Sequence, residues 1–189
     1  MGYNFLMTKF YTRSGDDGTT GLIGNKRVPK YHPIPETVGV LDEVMASLGL
    51  ARAQCRTEQS TVILLQVQRD LGQIMTEISA SPDQAAQFRK IGADRVAWLE
   101  SQTDQITELV EMPFRFILPG DTLAGASLDM ARTIIRRAER MAARLYHEGL
   151  LENQELLRYM NRLSSLCFVL ELFENAAGGK KTPTLADNV

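Results

Sequence analysis

Apolar residues recur every three or four positions along most of the chain, which is the spacing that places them on one face of an α-helix. The pattern predicts five helices, over residues 36–55, 58–79, 87–109, 121–147 and 153–175. Short connections join them, which is typical of antiparallel bundles. We therefore predict an all-α fold, a five-helix antiparallel bundle, and a single domain over residues 1–189.

The two ends of the chain depart from this pattern. Residues 1–35 are rich in Gly, Thr, Pro and charge, and we expect a non-helical segment there. Residues 29–35 hold three prolines, which predict an extended backbone up to the first helix. The helical bundle then covers residues 36–177. Residues 178–189 form a tail that we expect to be loosely ordered or laid over a neighbour.

Composition excludes several classes of protein. The chain has 189 residues and a formal net charge of −2, which argues against a general nucleic-acid binder because that needs a broad basic surface. No apolar run has the length of a membrane span, and the first residues lack the features of a secretion signal. Cys55 and Cys167 are far apart and are expected to be reduced thiols in a cytoplasmic protein. His32 and His147 are isolated, so we predict no protein metal site.

The fourth predicted helix carries arginines at intervals of four residues: Arg132, Arg136, Arg140 and Arg144. This spacing stacks them on one face, about 6 Å apart along the axis. Asp129 and Glu139 lie one turn away and are expected to orient two of them. The guanidinium fork matches phosphate oxygens, so the stripe indicates a polyphosphate site. A solvated basic face is equally compatible with the spacing.

Residues 15–21 read Gly-Asp-Asp-Gly-Thr-Thr-Gly, the composition of a loop that cradles phosphate with its backbone N–H groups. Arg13 and Lys30 add positive charge beside it. The segment lacks the Gly-Lys-Ser/Thr ending of a P-loop, and the alternative is the turn of a small hairpin flap. Its aspartate pair lacks the further acidic ligands of an EF-hand.

Two further polar groups interrupt apolar faces. Asn161 and Arg162 stand among the apolar residues of the fifth helix, where a buried, hydrogen-bonded Asn is the alternative to a functional one. Asp42 and Glu43 form an acidic pair on the first helix that is also compatible with a face toward water.

Together these stretches resemble, in order and over nearly the whole chain, four motifs of the PduO-type ATP:cob(I)alamin adenosyltransferases. The motifs lie at residues 11–20, 41–43, 116–140 and 161–164. The resemblance implies a homotrimer of five-helix bundles with active sites between subunits. It implies transfer of the 5′-deoxyadenosyl group of ATP to the cobalt of cob(I)alamin, forming adenosylcobalamin and triphosphate, with Mg²⁺ accompanying the ATP.

The resemblance also implies an ATP site shared by two subunits. One subunit would hold the triphosphate through Thr12, Arg13, Ser14, Gly15, Asp16, Thr20, Gly21 and Lys30. The next subunit would complete the site through Arg136, Arg137, Glu139, Arg140 and Asn161.

A second set of residues is expected at the corrinoid. Asp42 and Arg132 resemble the pair that forms an intersubunit salt bridge near it, and Phe116 resembles the residue that displaces the lower axial ligand of cobalt. With Arg136 these are the predicted catalytic residues. Further expected partners are an adenosylcobalamin-dependent mutase or dehydratase and a cobalamin reductase.

Three positions depart from the family pattern. Ser165 stands where Asp is usual, Met45 where Asn is common, and Asp121 where a second Gly is common. We expect Ser165 to affect the orientation of Asn161 or Arg162, and Met45 to change the corrinoid-facing surface. The departures keep two alternatives open: a trimeric carrier of adenosylcobalamin or sensor of ATP, and a helical interaction protein with a basic stripe.

Overall fold

A computed structural model describes residues 11–186; residues 1–10 and 187–189 lie outside the described part of the chain. The five predicted helices are confirmed: α1 Pro33–Gln54, α2 Glu58–Ser79, α3 Ala93–Thr107, α4 Leu123–His147 and α5 Gln154–Ala177. A two-stranded antiparallel hairpin precedes them, formed by β1 Thr19–Gly21 and β2 Arg27–Pro29. Within residues 11–186 no helix is both long and apolar enough to cross a bilayer.

Helix α4 lies at the centre of the bundle, packed against α5 and α1. The face opposite its arginines is buried, as the sequence predicted: Leu128, Ala131, Ile135, Ala138, Ala142 and Leu145. Burying each large aliphatic side chain contributes about 1.5–3 kcal/mol, so this face fixes the rotation of α4 about its axis. The arginine side of the helix is thereby held at the surface.

The first turn of α4 is closed by side chains. Thr122 is its N-cap, accepting a hydrogen bond from the N–H of Gly125 at 3.0 Å. The Thr122 hydroxyl also donates to Oδ1 of Asn175, near the end of α5, at 2.7 Å. A Cβ atom at Gly125 would overlap the Asn175 side chain, so this glycine permits the close approach of α4 and α5.

The expectation that residues 29–35 are extended is wrong beyond His32, because α1 begins at Pro33. The first N–H groups of a helix have no intrahelical partner, so proline is tolerated in the first turn. Nδ1 of His32 caps the helix by accepting from the N–H of Ile34 at 3.2 Å.

The third helix begins later than the apolar pattern predicted, at Ala93. Residues Ala85–Phe88 instead form a short 3₁₀ turn. The side chain of Asn153 donates to the carbonyl of Ile91 at 3.1 Å, which holds the intervening backbone out of a helix.

The hairpin is fixed to the end of α2. The N–H of Ile23 donates to the carbonyl of Ser79 at 2.8 Å, and the N–H of Ser81 donates to the carbonyl of Ile23 at 2.9 Å. Leu22 is buried against the bundle. The loop at the other end of the hairpin therefore has a defined position.

Residues 108–122 form the non-helical connector between α3 and α4. Residues 180–186 of the tail lie along the connector of their own chain. The N–H of Leu118 donates to the carbonyl of Thr184 at 2.8 Å, and the N–H of Ala186 donates to the carbonyl of Phe116 at 2.9 Å. The described tail thus supports the segment that carries Phe116.

Candidate functional site

The predicted phosphate loop is a turn that directly precedes β1, and hydrogen bonds close it. Asp17 Oδ1 accepts from the N–H of Thr19 at 2.9 Å and from its hydroxyl at 2.8 Å. These bonds lower the pKa of the Asp17 carboxyl. Arg27 donates through Nη2 to the carbonyl of Ser14 and to Oγ1 of Thr19, both at 2.6 Å. The alternative of a hairpin turn is wrong for this loop, because the turn of the hairpin is formed by residues 22–26, between β1 and β2. Arg27 is an organising residue that motif reasoning missed.

The loop gathers several of the predicted phosphate ligands. Nζ of Lys30 lies 3.2 Å from the position of a Cβ atom on Gly15, so the ammonium group covers this glycine. Arg13 has a left-handed backbone with φ of 61° and places its guanidinium 5.4 Å from the centre of the Tyr11 ring. Thr12 Oγ1 and Ser14 Oγ lie 2.7 Å apart. The loop thus combines a lysine over a glycine backbone with a neighbouring arginine and two hydroxyls, a composition suited to an anion.

The other predicted loop residues have different surroundings. Thr20 and Gly21 belong to β1, where they pair with Val28 and Arg27 of β2. Asp16 is exposed in the turn. A carboxylate at this position repels an anion unless a cation lies between them, so its predicted place beside the triphosphate requires Mg²⁺ or a neighbouring basic group.

The arginine face of α4 is Arg132, Arg136, Arg140 and Arg144. The two outer arginines are engaged: Arg132 Nε donates to Asp129 Oδ1 and Arg144 Nε to Glu148 Oε1, each at 2.7 Å. Within residues 11–186 the two central ones, Arg136 and Arg140, are exposed and form no ion pair. Two guanidinium groups one turn apart are therefore available to an external anion.

The expected orientation of an arginine by Glu139 is wrong. Glu139 Oε1 instead accepts from Nδ2 of Asn161 at 2.8 Å. Asn161 Oδ1 accepts from Nη1 of Arg162 at 2.8 Å, and Nε of Arg162 donates to Glu100 at 2.8 Å. The alternative of a buried Asn161 is also wrong, because the residue is exposed beside the arginine face.

The acidic pair on α1 divides between two environments. Glu43 forms an ion pair with Arg137 of α4. Asp42 is exposed next to it, whereas the intrachain carboxylate partner of Arg132 is Asp129. A single chain does not join Asp42 to Arg132, and their intersubunit pairing stays a prediction.

Two cavities meet at Arg132 and Phe168. The first, of about 480 Å³, is lined on its connector side by Phe116, whose side chain is 87% exposed. The second, of about 420 Å³, includes Arg136 and Ser165. Three of the predicted catalytic residues, Phe116, Arg132 and Arg136, therefore lie around one continuous region, and Asp42 lies outside both linings.

The three departures from the family pattern are placed as follows. Ser165 lines the second cavity and takes no part in the hydrogen bonds of Asn161 or Arg162. The end of the Met45 side chain lies 3.9 Å from the position of a Cβ atom on Gly72 of α2, so Met45 is a helix-packing residue. Asp121 holds the tail, as described below.

The two predicted halves of the ATP site lie on different parts of one chain. The loop is attached through the hairpin to the end of α2, whereas α4 packs on α1 and α5. Within residues 11–186 no three potential ligand side chains are grouped to hold a metal ion.

The chain belongs to the cobalamin adenosyltransferase family, whose model it matches over residues 10–174. The corrinoid adenosyltransferase PduO of Salmonella typhimurium is 37% identical over 88% of the chain. The chain spans about half, 49%, of the length of that relative and of the Citrobacter freundii protein of the same name. A corrinoid adenosyltransferase of Bacillus subtilis is 34% identical, with 90% of this chain and 89% of the relative covered.

Solved structures that resemble the chain belong to the same class of enzyme. A variant of the PduO-type ATP:corrinoid adenosyltransferase from Lactobacillus reuteri, complexed with cobalamin and ATP, aligns with a TM-score of 0.84 and 30% identity. The alignment covers 95% of this chain and 97% of that one. Another variant of the same enzyme, complexed with ATP, aligns with a TM-score of 0.82.

Proposed function

We propose that the chain transfers the 5′-deoxyadenosyl group of ATP to the cobalt of cob(I)alamin, forming adenosylcobalamin and triphosphate. The observation that carries the proposal is the cavity that joins the exposed Phe116 to Arg132 beside the arginine face. It occurs in a chain that aligns over 95% of its length with an enzyme complexed with cobalamin and ATP.

The proposed reaction needs no protein nucleophile. Cobalt(I) attacks the C5′ carbon of ATP, the C5′–O bond breaks, and triphosphate leaves with the electron pair of that bond. The substrate supplies the reactivity, and the protein supplies position and charge. Arg136 and Arg140, which form no ion pair with any residue from 11 to 186, are suited to stabilise the charge that develops on triphosphate.

The loop is the proposed holder of the triphosphate from a second subunit. Lys30, which covers Gly15, supplies N–H donors in this loop. The neighbouring hydroxyls of Thr12 and Ser14 supply further donors. A homotrimer with sites between subunits would bring this loop to the arginine face of a neighbouring subunit. Mg²⁺ fits the site as an ion carried by phosphate oxygens and water, because it seldom needs an all-protein cage.

Phe116 is the proposed closure of the lower face of the corrinoid. Its exposed ring lies on a connector that the tail holds by hydrogen bonds, which supports a role in excluding water and the axial ligand from a bound corrinoid. Loss of the lower ligand makes cobalt(II) easier to reduce to cobalt(I). We also propose a reductase as electron donor, a mutase or dehydratase as recipient, and a cytoplasmic location.

The test is the anaerobic absorption spectrum of chemically reduced cob(I)alamin mixed with the protein and Mg-ATP. We expect the cob(I)alamin band to disappear and a light-sensitive alkylcobalamin spectrum to grow. Arg136→Ala should lower turnover by about 100-fold, while Arg69→Ala, an exposed arginine on α2, should leave it unchanged. A persistent band with bound ATP or cob(II)alamin would instead favour the carrier alternative, which the missing carboxylate at Ser165 motivates.

A further inference from the structure

A buried carboxyl group without partners lies behind the proposed corrinoid site. Glu171 on α5 is 0% exposed, and among the described residues it is the side chain with two buried polar atoms that lack any hydrogen bond. By contrast, Glu174 accepts from the backbone N–H groups of Arg56 and Thr57. Buried polar groups are nearly always satisfied, so an orphaned carboxyl group calls for a functional explanation.

The charges that act on Glu171 come from the site itself. Asp129 and Arg132 act from α4, and Asp121 acts from the segment before α4. Burial, reinforced by Asp129, raises the pKa of Glu171 to about 7, against the opposing effect of Arg132. The carboxyl group therefore changes charge close to neutral pH.

Arg132 is placed to respond to that change. Its side chain is 30% exposed, lines both cavities, and donates to Asp129 through Nε. A guanidinium has five N–H donors, so one bond leaves the others open to a second acceptor. Among the described residues, Arg132 is the cation whose charge acts on Glu171.

We propose that Glu171 is a positioning residue for Arg132. When Glu171 is protonated, Arg132 stays hydrogen-bonded to Asp129 and directed toward the two cavities. In its ionised form Glu171 competes with Asp129 and draws the guanidinium toward the interior of the bundle, releasing its own proton to solvent. The consequence for corrinoid binding rests on the proposed function, whereas the movement of Arg132 does not.

The direct test follows the side-chain Nε–Hε NMR signal of Arg132 in the free protein between pH 5.5 and 8.5, assigned with Arg132→Lys. We expect the signal to shift with a midpoint near the pKa of Glu171 in the wild type and to stay fixed in Glu171→Gln. The glutamine keeps the shape of the protonated acid, so this variant should fold. A wild-type signal that does not titrate, or one that titrates equally in Glu171→Gln, would overturn the proposal.

The functional test measures cob(II)alamin affinity of the ATP-loaded protein over the same pH range. We expect wild-type affinity to fall by about tenfold as pH rises, the effect of losing a hydrogen bond to a charged group. Glu171→Gln should keep the affinity seen at low pH, with ATP affinity unchanged. The matched control is Glu77→Gln, because Glu77 is also buried with a raised pKa but bonds to Asn153, away from the cavities.

The two tests separate the possible failures. Absence of cob(II)alamin binding at every pH would remove the proposed function, and the NMR titration would still decide the role of Glu171. Binding whose pH dependence is the same in the wild type and in Glu171→Gln would reject the positioning role and leave the proposed function standing.

Discussion

Thr184 is tied to Asp121 by two hydrogen bonds. Its hydroxyl donates to Asp121 Oδ1 at 2.6 Å, and its backbone N–H donates to Asp121 Oδ2 at 2.9 Å. Asp121 is one of the positions where the chain departs from the family pattern. Its carboxylate holds residues 180–186 against the connector that carries Phe116, so the departure has a defined structural role.

Replacing this carboxylate should release the tail. In Asp121→Ala we expect faster amide hydrogen exchange and faster proteolysis within residues 180–186, because both bonds to Thr184 are lost. Thr184→Val should have a similar effect, and the double variant should add little to either. Additive effects would show that the two residues act separately.

The same contact predicts a pH dependence. The hydrogen bonds from Thr184 lower the pKa of Asp121 in the folded chain. A carboxyl group with a lowered pKa contributes stability above its unfolded pKa and loses it as pH falls through its folded pKa. The protection of the tail amides, measured against their intrinsic exchange rates, should therefore fall only in acid, and in Asp121→Ala this acid dependence should be absent.

The acidic pair on α1 offers a test of the corrinoid site. Asp42→Asn should weaken corrinoid binding by about tenfold and leave ATP affinity unchanged, because Asp42 is free to meet Arg132 of another subunit. Glu43→Gln is the matched control, since Glu43 is already paired with Arg137 in its own chain. Steady-state KM values for both substrates measure the difference. An equal loss of both affinities in Asp42→Asn would contradict the assigned role.

We expect Arg27 to contribute to ATP affinity, although it lies in none of the four motifs. Arg27→Ala removes the bonds to Ser14 and Thr19 that close the loop, so we expect ATP affinity to fall by about tenfold. Arg27→Lys keeps the charge but loses the forked geometry and should recover little of it. Calorimetric titration with ATP checks both. Full affinity in Arg27→Lys would mean that charge alone is required.

Thermal unfolding should report the ionisation of Glu171. Its pKa rises from an ordinary 4.5 to about 7 on folding, so the folded chain binds more protons than the unfolded chain in this window. The free energy of unfolding then falls as pH rises from 4.5 to about 7. Glu171→Gln should remove this decline and raise Tm by several degrees at pH 8. A steeper decline in the variant would contradict the assignment.

The sequence predicted the parts of the fold that depend on local patterns. Periodic apolar residues on α4 identified both its buried face and its arginine face. The start of α1 was missed because the prolines were treated as helix breakers, although Pro33 lies in the first turn. The start of α3 was missed because a distant side chain, Asn153, holds the backbone near Ile91.

The candidate site was predicted less completely than the fold, because local motifs do not report contacts between distant parts of the chain. Phe116, Arg132 and Arg136 follow from motifs and do line one region. Arg27 acts through contacts with residues distant in sequence, and the proposed role of Glu171 depends on charges on another helix. Neither residue lies in a recognisable motif. Such roles depend on tertiary packing, which no local pattern encodes.

The attachment of the hairpin to α2, away from the arginine face, has a genetic consequence. A chain with a defective loop and a chain with a defective arginine face are damaged in different halves of the proposed ATP site. When both are expressed in one cell, some mixed assemblies would join an intact loop to an intact arginine face. Two alleles that are each inactive alone would then complement each other and restore part of the growth that depends on adenosylcobalamin.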